Sequence, residues 1–179
     1  MKQKLLYIHG LGSDRNSRKL VNLKDHFKDQ FEYNFVEWNN DSYISALLDV
    51  AEKWLQSDEE DQIVLVGDST GANFAYQLRE RLKENGVKSI LILTSPLLNI
   101  DERIANFIFP KTIIPQLWKI DNPANALIIA TQKDEVLNQV PLFKKSLKNF
   151  KLIDVDDSHR LLKFENYLAD IENYIQSKS

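Results

Sequence analysis

Cysteine is absent from the 179 residues. The chain therefore has no disulfide, no thiol nucleophile and no thiolate for a metal. Histidine is scarce: there are three, scattered through the sequence, a pattern that suits no metal site, and neither a metal nor any other cofactor is expected. An excess of positive charge is missing too. Lys and Arg number 23 against 26 Asp and Glu, for a net charge of −3, and no segment clusters basic residues, so no nucleic-acid partner is expected. Apolar runs are no longer than a strand, which argues against a membrane partner. The opening Met1-Lys2-Gln3-Lys4-Leu5-Leu6-Tyr7-Ile8-His9-Gly10 has two lysines but too short an apolar run for a signal peptide. The cytoplasm is the expected compartment.

What is present reads as an ordinary globule, with 43% apolar and 27% charged residues. The length suits one domain over 1–179. Strand-like runs near 5–9, 33–37, 62–67, 89–94, 126–131 and 151–155 alternate with helical patterns near 15–30, 42–56, 70–84, 139–148 and 161–176. Several strands are continuously apolar, as in a parallel sheet covered on both faces. Right-handed crossovers then give a three-layer α/β sandwich with a mostly parallel sheet of about six strands. Asn85-Gly86 suits a helix end, and Asp41-Ser42 and Ser158 suit helix starts. The rhythm breaks near 96–122, an apolar insertion or small lid rich in Ile, Phe and Trp and bearing Pro96, Pro110 and Pro115.

Ile63-Val64-Leu65-Val66-Gly67-Asp68-Ser69-Thr70-Gly71-Ala72 carries most information. It reads as buried strand, Gly-x-Ser-x-Gly, then helix, the setting of a nucleophile elbow. The turn is so tight that its flanking positions must be small, as Gly67 and Gly71 are. A serine hydroxyl needs a base to take its proton, histidine titrates in the right range, and a carboxylate must orient that histidine. On an elbow of this kind the chain order is Ser, then acid, then His. His159 follows the last expected strand, where the base is needed. Asp134 lies at the carboxyl end of the strand near 126–131 and is the expected acid. Its rivals are Glu135, Asp154, Asp156 and Asp157, the last three too close in sequence to His159 to approach the far side of its ring. His26 is expected on a solvent-exposed helix face, and His9 in a structural role.

The oxyanion needs two backbone donors. The amide of Thr70, after the nucleophile, is one candidate. The amide of Leu11, in the loop His9-Gly10-Leu11-Gly12, is the other. If the first strand lies beside the third with the second outside, both loops open where the strand order reverses. The Gly10 loop is no dinucleotide fingerprint, since the third glycine is missing, and no Walker lysine is present. Phe107, Ile108 and Trp118 in the insertion are candidate substrate contacts, with a helix pair on the sheet edge or a dimer surface as the competing reading. The oligomeric state stays open.

These residues together resemble the YqiA-like small bacterial esterases of the α/β-hydrolase superfamily. The likeness lies in Leu5-Leu6-Tyr7-Ile8-His9-Gly10-Leu11 with Ser13 and Ser17-Arg18-Lys19, in the Gly67–Gly71 elbow, in Asp134-Glu135-Val136-Leu137, and in Ser158-His159 followed by Phe164-Glu165-Asn166-Tyr167. The resemblance implies a minimal hydrolase without the first two strands of the full fold, acting on carboxylic esters, with Ser69, Asp134 and His159 as nucleophile, acid and base. Thr70 and Ala72 depart from the Leu and Gly expected there. Asp68 replaces a neutral residue, and a second carboxylate beside the nucleophile is expected to raise the histidine pKa or disfavour anionic substrates. The leading expectation is a serine esterase with a small-molecule ester or thioester substrate. The alternatives are a thioesterase, amidase or acyltransferase on the same triad, or an idle hydrolase-fold scaffold.

Overall fold

The computed structural model describes residues 3–57, 62–145 and 149–178. Among these, six strands form one sheet: β1 Gln3–Ile8, β2 Phe31–Val36, β3 Ile63–Asp68, β4 Ile90–Thr94, β5 Ala126–Ala130 and β6 Lys151–Asp154. Their order is β2-β1-β3-β4-β5-β6, and every neighbouring pair is parallel. Order reverses between β1 and β3, so the loops leaving their carboxyl ends open into a shared crevice.

The apolar runs explain the layering. Along β1 and β3, successive side chains enter opposite cores. Leu6, Ile8 and Leu65 face one core with α2 (Ile44–Leu55) and α3 (Thr70–Glu84), through Leu48, Leu55, Phe74 and Leu78. Leu5, Tyr7, Val64 and Val66 face the other with α1 (Arg18–Phe27) and α5 (Leu168–Gln176), through Leu20, Leu23, Phe27 and Ile171. Central strands are therefore apolar along most of their length, with polar residues such as Lys4, Asp68 and Thr94 at their ends. β2 and β6, at the edges, are only partly buried.

α3 begins and ends where the sequence pattern places it, closed by Asn85 and by Gly86 at φ +76°. Other helix starts come later than expected. Asp14 Oδ1 accepts the Asn16 amide at 2.7 Å, and this turn delays α1 to Arg18. Asn39 and Ser42 close a similar turn, with Asn39 N–H on Ser42 Oγ at 2.8 Å, so α2 starts at Ile44. Ser158 starts no helix. The Asp157 carboxylate takes the amides of Ser158, Leu162 and Lys163. Leu161 has φ +47°, which excludes α-helix there. A 3-10 turn Phe164–Tyr167 then leads into α5. The helix expected near 139–148 is the short α4 Val140–Lys144, and 146–148 lie outside the described residues.

Between β4 and β5 the chain runs through two 3-10 turns, Ile100–Glu102 and Ile114–Gln116, where a helix pair was the competing expectation. Side-chain amides of α3 hold it. Asn73, fully buried, donates to the carbonyls of Leu97 and Trp118 and accepts the Trp118 amide. Gln77 donates to the Gln116 carbonyl at 2.9 Å. Among the described residues, no helix is long and apolar enough to cross a membrane.

Candidate active site

The turn from β3 into α3 puts Ser69 at φ 52° and ψ −115°, a conformation that costs a non-glycine residue about 1–3 kcal/mol. Three backbone bonds hold it there. The Ser69 amide donates to the Thr94 carbonyl at 2.9 Å, and its carbonyl accepts from Leu97 at 3.0 Å and Ala72 at 3.1 Å. The glycines are needed for contact. A Cβ on Gly71 would overlap the carbonyl oxygens of Ile8 and His9, and one on Gly67 would come within 2.5 Å of Ala72 Cα.

His159 stands after β6, its ring reaching back across the sheet ends. Ser69 Oγ lies 3.0 Å from His159 Nε2, and His159 Nδ1 lies 2.8 Å from Asp134 Oδ2. A carboxylate only accepts, so the Nδ1–H donates to Asp134, which leaves Nε2 to accept from the Ser69 hydroxyl. The Asp134 side chain is fully buried and that of His159 is 13% exposed. Asp134 Oδ1 accepts the amides of Val136 and Leu137, each at 2.8 Å. Gln139 Nε2 approaches Oδ2 at 3.5 Å.

The rival acids do other work. Glu135 accepts the backbone amide of His159 at 3.0 Å. Asp154 takes a bond from Gln132, Asp156 pairs with Lys133, and Asp157 closes the turn after His159. Two further partners of the His159 loop were not anticipated. Ser95 Oγ donates to the His159 carbonyl at 2.8 Å. The Arg18 guanidinium donates to the carbonyls of Leu162, Leu161 and Arg160 at 2.9, 2.8 and 3.3 Å. Asp68 is not a lone anion beside Ser69. Lys19 Nζ lies 2.5 Å from its Oδ1, and Thr94 Oγ1 donates to the same oxygen at 2.7 Å.

His9 is structural. Its ring is buried and stacks on Trp38 with centroids 5.4 Å apart. Nδ1–H donates to the Gly10 carbonyl at 2.7 Å, and Nε2 accepts the Trp38 amide at 3.1 Å. Burial pulls its pKa below the ordinary histidine value, in keeping with a neutral ring. His26 is not the free surface group expected: its Nε2 meets Glu172 Oε2 at 2.9 Å, tying α1 to α5.

Two depressions share Ser69, Leu11, His159 and Arg160. One, of about 150 Å³, is further lined by Thr70, Leu97, Arg103, Phe107, Phe109, Val136 and Leu137. Leu11 and Thr70 thus flank Ser69 there, and Thr70, first residue of α3, has no intrahelical acceptor for its amide. The other, of about 450 Å³, is of mixed character and carries the charged and hydroxyl side chains of Ser13, Ser17, Arg18, Lys19 and Asp68. Of the three insertion residues singled out in the sequence, only Phe107 lines either. Ile108 is 89% exposed, and Trp118 packs edge-on against Tyr76. The chain bends at Phe107, and Phe109 rather than Ile108 joins Phe107 in the pocket wall.

Comparison with known proteins agrees with this architecture. The model of the Uncharacterised protein family (UPF0227), the YqiA family, matches residues 4–176. No curated protein sequence matches the chain significantly. Among solved structures, a protein designated a hydrolase from Agrobacterium vitis S4 superposes with TM-score 0.72 at 18% identity, covering 97% of this chain and 88% of that one. The type II thioesterase BorB from the borrelidin biosynthetic cluster gives 0.70 at 12%, covering 98% and 92%. Est1E from Butyrivibrio proteoclasticus gives 0.66 at 18%, covering 98% and 89%. At these identities the likeness shows the fold, that of α/β hydrolases.

Proposed function

Because the chain belongs to the family UPF0227 and has the α/β-hydrolase fold, we propose that it is a serine hydrolase of small carboxylic esters. One observation carries the reading: an unbroken hydrogen-bonded line from Ser69 Oγ through the His159 ring to the buried Asp134 carboxylate. Its first member sits on a strained strand-to-helix turn.

Ser69 Oγ attacks the ester carbonyl carbon while His159 Nε2 takes the hydroxyl proton. Asp134 holds the ring in the tautomer that can accept it and offsets the charge that forms. The carbonyl oxygen, now negative, receives the amides of Leu11 and Thr70. Collapse breaks the carbon–oxygen bond to the alcohol, which leaves with the proton from His159. Water then repeats the sequence on the acyl-enzyme, freeing the acid and Ser69.

Intact-mass spectrometry after treatment with a fluorophosphonate tests this. The expected result is one adduct on the wild-type protein and none on Ser69→Ala, with His159→Ala reacting far more slowly. A folded wild-type protein that stays unlabelled, or a Ser69→Ala variant that still turns over esters, overturns the proposal.

A further inference from the structure

The small pocket over Ser69 is mostly apolar, but two arginines line it: Arg103, which is partly buried, and Arg160, which is exposed and shared with the larger depression. Among the described residues, no carboxylate pairs with Arg103, and none lines the pocket. The side chain is nevertheless held. Its Nη2 donates to the Phe107 carbonyl at 2.9 Å, and its guanidinium carbon lies 4.7 Å from the Phe107 ring centre and 4.9 Å from that of Phe109. Its backbone is held too: Arg103 bridges Leu137, and the adjoining Ile104 amide donates to Val136 at 2.9 Å. Burial with no opposing charge pulls the Arg103 pKa below the ordinary value. A cation fixed between two rings beside a nucleophile is preorganised for an anion, and the planar guanidinium matches a carboxylate.

The volume limits what the anion can be attached to. At about 150 Å³, the pocket is the size of an apolar cavity that takes benzene, so it holds a tail of about six heavy atoms. Ser69 and Arg103 line the same small pocket, so a tail of that size can run from the one toward the other. Leu11 lines both depressions but Thr70 only this one, so an acyl chain seated here lies beside the amide that follows the nucleophile. The larger cleft, with Arg18 and Lys19 in its wall, is left for the alcohol.

We propose that Arg103 sets acyl specificity, and that the site takes short acyl chains ending in a carboxylate: monoesters of dicarboxylic acids of about glutarate size. The inference rests on Ser69 being the acylated residue. Asp68 does not oppose it, because Lys19 pairs with that carboxylate.

The test compares the monophenyl ester of glutaric acid with phenyl hexanoate, following phenol release against enzyme-free blanks. The wild-type protein is expected to favour the glutarate ester in kcat/KM by about tenfold, the worth of one charge-assisted hydrogen bond. Arg103→Leu is expected to bring the ratio to about one, chiefly through KM, and Arg103→Lys to keep part of the preference. The readout is a ratio within each variant, so the fraction of folded protein does not enter it. A wild-type ratio near one, or a preference that survives in Arg103→Leu, overturns the inference. If Ser69 takes up the fluorophosphonate and the ratio is near one, specificity alone is overturned. If a folded wild-type protein takes up no label and cleaves neither ester, the serine-hydrolase reading falls and this inference falls with it.

Discussion

Lys19 Nζ and Asp68 Oδ1 lie 2.5 Å apart, with side chains only 5% and 16% exposed, and Asp68 is the residue immediately before Ser69. Taking two charges out of water is costly, and mutual attraction offsets much of it. Removing one partner strands the other. Lys19→Met is expected to destabilise the protein by about 3–5 kcal/mol in urea unfolding, and Lys19→Met with Asp68→Asn to recover most of that loss. A single variant within about 0.5 kcal/mol of wild type would show that water already satisfies Asp68.

The backbone at Ser69 gives a second prediction. Ser69→Ala and Ser69→Gly both remove the hydroxyl, but only glycine adopts φ 52° and ψ −115° without strain. Relief of about 1–3 kcal/mol exceeds the roughly 0.5–1 kcal/mol that glycine loses through its freer unfolded chain. Ser69→Gly is therefore expected to be about 1 kcal/mol more stable than Ser69→Ala, and both inactive. Equal unfolding midpoints for the two would mean that the turn stores no strain.

A third prediction concerns how His159 is aimed. Glu135 accepts its amide and Ser95 donates to its carbonyl, one on each side of the ring-bearing residue. Neither touches the place where substrate reacts, so both are positioning residues. Loss of either lets the ring drift from Ser69, and small misplacements in such sites cost up to about a hundredfold in rate. Ser95→Ala and Glu135→Ala are each expected to lower kcat by about ten- to a hundredfold with KM nearly unchanged. Glu135→Gln, which keeps an acceptor oxygen, is expected to fall less. A rise in KM at constant kcat would assign these residues to substrate binding instead.

The elements and the site differed in how far the sequence exposed them. α3 was legible to the residue because both ends carry local signals, the Gly67–Gly71 elbow and Asn85-Gly86. α1, α2 and α5 were misjudged by a few residues because Asp14, Asn39, Ser42 and Asp157 spend their side chains on turns that compete with helix, which a periodicity cannot register. Ser69, Asp134 and His159 could be chosen from loop positions and chain order. Asp134 and Glu135 are neighbours, however, and only the folded loop shows which carboxylate meets the ring and which the amide. The Lys19 partner of Asp68 was hidden by its distance along the chain, although a charged residue inside Gly-x-Ser-x-Gly was itself a reason to look for a cation. Phe109 lies in a segment with neither helix nor strand, so no sequence period distinguishes it from Ile108. The Arg103 guanidinium, against which both rings pack, brings Phe107 and Phe109 together, a contact no periodicity shows.

His9 supplies the last prediction, a dependence of stability on pH. Burial is the main cause of its lowered pKa, opposed by the Gly10 carbonyl and, more weakly, by Glu37, Asp14 and Asp68. The unfolded chain therefore binds a proton more readily than the folded one. Stability from this group is complete above the unfolded value of about 6.5 and declines as pH falls from there toward the folded value, by at most about 1.4 kcal/mol per pH unit for one proton. Asp157 acts in a lower window. Burial raises its pKa, but the amides of Lys163, Ser158 and Leu162 and the Tyr167 hydroxyl outweigh that and leave it below 3.8, so its contribution is lost only under stronger acid. Burial also raises the pKa of Glu102 above 4.5, so in urea unfolding between about pH 6.5 and 4.5 the difference between wild type and a His9 variant, not the slope alone, reports the histidine. His9→Gln, which keeps a polar group able to accept the Trp38 amide, is expected to be less stable than wild type at pH 8 but to lose less on acidification. Protonation of His9 must also break the bond from Trp38 to Nε2, beside the loop that carries Leu11. Parallel slopes for the two proteins over that range would mean that the His9 ring titrates alike in the folded and unfolded chains.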